Sequence, residues 1–159
     1  MNNEINEVVT LINNELTNRS FSIDTREHLI KIYQANGEIV KAFYDENYES
    51  IGLEIGNIFL LLTIICKQYD VNFFDLEWDD EGLDTDNSYS AFYKEMMLLN
   101  GGIGSLSNEL YTSIFVDISV DISNDIEGIL EKLANVSKTC EITLSKVAYH
   151  AYQNFKKSY

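Results

Sequence analysis

Ile58-Phe59-Leu60-Leu61-Leu62-Thr63-Ile64-Ile65-Cys66 is the longest apolar run in the chain. It is far short of the roughly 18 residues that a bilayer span requires, so it reads as the centre of a buried helix. Working outward, Leu53 and Ile55 on one side extend the pattern to a helix over about residues 48 to 69. Its apolar face is wide enough to need neighbours on both sides. Upstream, Asp45-Glu46-Asn47 breaks the pattern, and before it Leu29, Ile32, Tyr33, Val40 and Phe43 form a helical stripe over 25 to 44. Asp24 followed by Glu27 has the spacing of a capping box at its start. Ile5, Val8, Val9, Ile12 and Leu16 recur at i, i+3, i+4, i+7 and i+11, which predicts a first helix over 3 to 18.

Downstream of the apolar run, residues 75 to 86 read DLEWDDEGLDTD, with seven acids and one glycine. That composition predicts an exposed, solvated connector with Trp78 as its single anchor. As a calcium loop it would use Asp84, Asp86, Ser88 and Glu95, but Tyr89 stands where glycine must make the sharp turn, and the solvated reading is preferred. Beyond it, helices are expected from Ser88 to Leu99, about Gly104 to Phe115, about Ser123 to Lys138, and Thr143 to Lys157. Gly101-Gly102-Ile103-Gly104-Ser105 lacks the strand and the Lys-Ser/Thr of a phosphate loop and reads as a helix–helix turn. Val116 to Val120 reads as an extended link or helix start, having no second strand to pair with. The chain also echoes itself: Gly37 to Tyr44 can be laid over Gly104 to Tyr111, and Glu54-Ile55 over Asp125-Ile126. The expectation is one all-α domain over 1–159, a bundle of six to seven helices. Two degenerate halves, 1–74 and 88–159, would be joined by the connector 75–87.

The charge balance narrows the function. Against 11 Lys and Arg stand 26 Asp and Glu, a formal charge of −15. Such a surface repels phosphate backbones and anionic headgroups, so neither direct nucleic-acid binding nor membrane binding is expected. Cys66 and Cys140 are distant in sequence and have no His companions at ligand spacing, so they read as core thiols of a reducing compartment. MNNEINEVV shows no basic leader before an apolar core, and cytoplasmic residence is expected. His28 and His150 read as surface or helix-end residues, and no nucleophile pairing is visible, so no catalytic residue is assigned.

Chemistry is best placed at 34 to 57. Gln34-Ala35-Asn36-Gly37-Glu38-Ile39 and Leu53-Glu54-Ile55-Gly56-Asn57 put polar residues three apart on consecutive helices. Residues at that spacing share a face, so two antiparallel helices can aim Glu38, Glu54 and Asn57 at one point. Carboxylates so clustered suit a hard divalent cation such as Mg²⁺, which would in turn hold a polyphosphate. Tyr33, Tyr44, Phe59 and Tyr69 fall at helical spacing and are read as core.

At these residues the chain resembles the MazG-like, all-α nucleoside triphosphate pyrophosphohydrolases. QANGEI stands for that family's Glu-Glu-x-Gly-Glu-Leu motif and LEIGN for its Glu-Glu-Leu-Gly-Asp motif, while IFLLLTIICKQYDVNFFDL matches the apolar helix and turn that follow. The resemblance covers about residues 27 to 76 and, more faintly, 95 to 159. It implies Mg²⁺-dependent hydrolysis of a (d)NTP to (d)NMP and pyrophosphate, in a homodimer or, with both halves in one chain, a pseudo-symmetric monomer. It also implies Glu38 and Glu54 as metal ligands with Asn57 as a neutral third. Ala35 replaces a ligand Glu and Asn57 a ligand Asp, and at the corresponding positions of the second half, Gly102, Ser105, Asp125 and Gly128, only Asp125 keeps an acid. Two further readings therefore stand beside the enzyme: a pseudoenzyme that binds nucleotide without turnover, and a non-enzymatic acidic protein that binds a basic partner.

Overall fold

The computed structural model describes residues 2–19, 24–84 and 88–158. Among them are six α-helices, one short 3₁₀ turn and no strand. The helices are α1 (Asn3–Asn18), α2 (Thr25–Tyr44), α3 (Tyr48–Gln68), α4 (Tyr89–Val116), α5 (Ser123–Thr139) and α6 (Leu144–Lys157); the 3₁₀ turn Phe73–Asp75 follows α3. The bundle is all-α, as the periodicity predicts, and the first three helices begin and end within a residue of their expected limits.

Side-chain oxygens start several of them. Asn2 accepts from the Ile5 amide, Asn47 from Ser50 and Ser88 from Ala91, so each satisfies an amide that has no partner in the first turn. Asp24 also caps α2, but through the Arg26 amide, and Glu27 turns forward to Lys31 at 2.9 Å. The Asp24/Glu27 pair therefore does not close as a reciprocal capping box. Three helices end alike without proline or glycine. Asn47, Val71 and Ile142 donate back to the carbonyls of Ala42, Cys66 and Ser137 at 2.8 to 2.9 Å, across Glu46, Asp70 and Glu141 in left-handed conformation. These are Schellman endings with an acid where glycine is usual, unfavourable both sterically and beside the negative end of the helix dipole. The register that lays Glu54-Ile55 over Asp125-Ile126 also lays Asp70 over Glu141.

The centre of the molecule is α3. Ile51, Ile55, Ile58, Phe59, Leu62 and Ile65 are wholly buried, sheathed by α1, α2, α5 and α6. By length and composition α3 is apolar enough to cross a membrane, but 67% of its most apolar window is buried against the rest of the bundle. More residues are buried on α3 than on any other described helix, so its burial is a major source of apolar stabilisation. Gly56 lets α6 approach: a Cβ there would lie 2.2 Å from the carbonyl oxygen of Val147.

Three expectations are corrected. Gly101 to Ser105 is not a turn: α4 runs unbroken through it for 28 residues. Leu99, Ile103, Leu106 and Leu110 hold its inner face in the core, and Gly102 admits the side chain of Ile129 from α5. The connector is not free of the fold. Leu76 is buried, Trp78 packs edge-on against Phe73, and the backbone amides of Glu77 and Leu83 donate to Glu127 and Asn135 on α5, both at 2.8 Å. Gly82, with φ +75°, lies so close to the Ala134 carbonyl that a Cβ would come within 2.7 Å of its oxygen. Asn135 also donates to the buried Glu95 at 3.0 Å, which explains why Glu95 is interior and not a loop ligand; Asp86, another of the calcium candidates, lies outside the described residues. Finally, Tyr33 and Tyr44 are about half exposed, at 43% and 54%. They flank α4 as Phe43 takes the core position and stacks on Phe92 at 3.6 Å.

Two substitutions test the packing. Gly56→Ala should cost about 3 kcal/mol in urea unfolding, because backbone must move to admit the methyl group. Glu141→Gly should stabilise by about 1 kcal/mol through relief of the left-handed strain.

Candidate functional site

Along α2, residues 28, 31, 35 and 38 fall on one face; along α3, so do 54, 57, 61 and 64. The two helices are antiparallel neighbours, and where α6 completes the wall they enclose a cleft of about 470 Å³. Glu38, Glu54 and Asn57, the three residues singled out from sequence, line it together at one end. Asn57 Nδ2 donates to Glu54 Oε2 at 3.4 Å, which leaves the amide oxygen of Asn57 free to face a ligand. Among the described residues neither Glu38 nor Glu54 has an ion-pair partner, although Glu15, Asp24, Glu27 and Asp84 each have one. Ala35 forms wall at the position where the resembled motif has a carboxylate.

The middle of the cleft is apolar, with Leu60, Leu61 and Ile64 from α3 and Ala151 and Phe155 from α6. The far end carries His28 and Lys31. Sequence reading missed His28. It is 6% exposed, inside the bundle and not at the surface, whereas His150 is exposed as expected. The clue was its place in the stripe with Ile32 and Ala35, which share the buried face of α2. Burial holds its imidazole below the ordinary value; a hydrogen bond with Gln68 acts in the opposite sense. Gln68 itself accepts from Thr25 Oγ1 at 3.3 Å, and His28 Nδ1 has no hydrogen-bond partner.

The corresponding positions of the second hairpin are occupied differently. Ser105 on α4 donates to Asp125 on α5 at 2.7 Å, so the single retained acid is engaged by a hydroxyl, and Gly102 is filled by Ile129. Cysteine chemistry finds no place either. Cys66 and Cys140 are buried and unpaired, and burial pushes their thiols up to about 12 and about 11, which keeps both protonated and weakly nucleophilic.

No known family matches the chain, and comparison with curated proteins and with solved structures found no similar one. Function must therefore be read from the cleft. Among the described residues no three His, Cys, Asp or Glu converge as a closed metal cage. Two unpaired carboxylates and an amide oxygen nevertheless fit Mg²⁺, which is commonly held by one or two carboxylates with water and substrate phosphates completing the shell. They do not fit a structural zinc site, which needs four protein ligands of nitrogen or sulfur type.

The buried imidazole gives a pH test. Its folded pKa lies below the unfolded value of about 6.5, so the unfolded chain binds the proton first. The stability linked to the neutral ring is fully present above that pH and is lost as pH falls below it towards the folded pKa. Urea unfolding at about pH 7.5 and about pH 5.5 should show a larger loss for the parent than for His28→Gln. Equal losses would mean that the ring takes up its proton alike in the folded and unfolded states.

Proposed function

We propose that the cleft takes a nucleotide polyphosphate through a divalent cation, and that the protein is a MazG-like nucleotide pyrophosphohydrolase or a weakened descendant of one. The observation that carries this reading is the pair Glu38 and Glu54, presented from consecutive helices into one cleft with no ion-pair partner among the described residues. An acidic protein that handles polyphosphate needs its local sign reversed, and these are the residues that can hold the ion to do so.

In this reading Glu38, Glu54 and the Asn57 amide oxygen hold Mg²⁺. The bound ion would neutralise and polarise the phosphates at that end. The remaining groups act through binding and orientation. Lys31 gives the opposite end a positive charge, moderated by its ion pair with Glu27. The floor of Leu60, Leu61 and Ile64 excludes water and offers an apolar surface for a base. Gln34 and Asn154 supply amides at the rim that can fix a sugar or base edge. With two carboxylates in place of four, charge at the ion is halved, so weak metal affinity and slow turnover are the expected behaviour.

A thermal-shift screen of nucleotides with and without Mg²⁺, followed by product analysis, tests this directly. The Tm should rise only when nucleotide and Mg²⁺ are both present, and Glu38→Gln should weaken binding at least about tenfold. Asn57→Asp should tighten Mg²⁺ about tenfold by restoring a charge. Pyrophosphate release identifies the enzyme, and a magnesium-dependent shift without products identifies the descendant that only binds. A panel in which no nucleotide raises Tm and none is hydrolysed would remove the proposal.

A further inference from the structure

Helix α4 has two apolar faces. The inner one, with Phe92, Leu99, Ile103, Leu106 and Leu110, is buried against the bundle. On the outer one, Met97, Gly101, Gly104, Asn108, Tyr111 and Phe115 recur at alternating steps of four and three, the spacing of a coiled-coil seam. Met97 is 73% exposed, Tyr111 57% and Phe115 60%, and Tyr93 extends the same stripe one turn further. Contacts from α2 reach the inner face and one flank of α4, through Phe43 with Phe92, Tyr33 with Ser107 and Asn36 with Asn100, and touch the stripe at its end, where Tyr44 meets Tyr93. Among the described residues the seam from Met97 to Phe115 is left clear of them.

We propose that this seam is where two copies of the chain meet, antiparallel, about a two-fold axis beside Gly104. Three observations single out a second copy as the occupant. The first is charge. From Lys94 to Val116 the only acids are Glu95, which is buried, and Glu109, which lies off the seam. In a chain of charge −15 a seam without acids is where two like-charged copies can touch, while a basic partner would find nothing there to attract it. The second is self-complementarity, which a two-fold interface requires. With the axis at Gly104, Met97 of one copy faces Tyr111 of the other, and Tyr93 faces Phe115. These are sulfur–aromatic and aromatic–aromatic pairs. The third is the glycines. A Cβ at Gly101 or Gly104 would meet nothing within 4 Å, so the chain's own packing makes no use of either. Each costs about 1 kcal/mol against alanine inside a helix, and both stand where the two backbones would cross most closely.

Sedimentation of the full chain over a range of concentrations tests the pairing. A single-helix interface of this kind should give a dimer with Kd of about 1–10 μM. Gly104→Glu, which sets two like charges at the axis, should weaken it at least about tenfold while leaving the melting temperature of the monomer no lower. Mild oxidation should join two copies of Gly104→Cys through a disulfide and leave Phe115→Cys unjoined, since the native thiols are buried. A parent that stays monomeric, or a Gly104→Glu protein that dimerises as tightly as the parent, would overturn the proposal. Cross-linking at Phe115→Cys would overturn the antiparallel register.

Discussion

Almost everything in this molecule follows from the need to surround α3. A helix whose residues are apolar on all sides cannot lie on the surface of a small domain, and four other helices are recruited to cover it. That sheath leaves few places on α3 where a polar side chain can sit. Glu54 and Asn57 occupy one of them, at the margin where α2 and α6 diverge enough to leave a cleft. The cleft is therefore a product of the packing: its floor is the outer surface of the core, and its polar residues stand where the core helix runs out of neighbours. Gly56, one residue before Asn57, ties the two together, because the close approach of α6 that it permits also fixes the wall carrying Ala151 and Phe155.

Electrostatics distinguishes the cleft acids from the others. The Arg26 side chain lowers the pKa of Asp24, and Lys31 lowers that of Glu27. Glu95, the most deeply buried acid, is hydrogen-bonded by Asn135. Glu38 and Glu54 line one cleft, where Asn57 bonds to Glu54 and neither acid has an ion-pair partner among the described residues.

Much of this was legible in the sequence, because helix formation here is set by local periodicity. The stripes of α1, α2 and α3 locate those helices, and the three-residue spacings at Glu38 and at Glu54/Asn57 locate the cleft's acidic end. What was not legible depends on contacts distant in sequence. Three glycines within four residues read as a break, but the core contacts of Leu99, Ile103 and Leu106 outweigh their low helix propensity. The dense acids of the connector masked the fact that its backbone, through the amides of Glu77 and Leu83, is bound to α5. His28 looked like an exposed helix-end residue because burial of a polar ring is decided by which helix lies opposite, and Gln68 is forty residues away.

The pairing of α1 with α6 has a consequence for how the chain is made. Glu4 on α1 accepts a hydrogen bond from Ser145, 141 positions later, and the Arg19 guanidinium reaches the carbonyl of Lys156. Helix α1 thus leaves the ribosome some 141 residues ahead of the principal partner it packs against. At about 5–20 residues per second, its apolar stripe of Ile5, Val8, Val9 and Ile12 waits roughly seven seconds or more for α6. During that interval the hairpin of α2 and α3 must either hold the nascent helix in a provisional site or leave it to a chaperone. The order of synthesis, and not the final contacts, sets when the molecule is most exposed to aggregation.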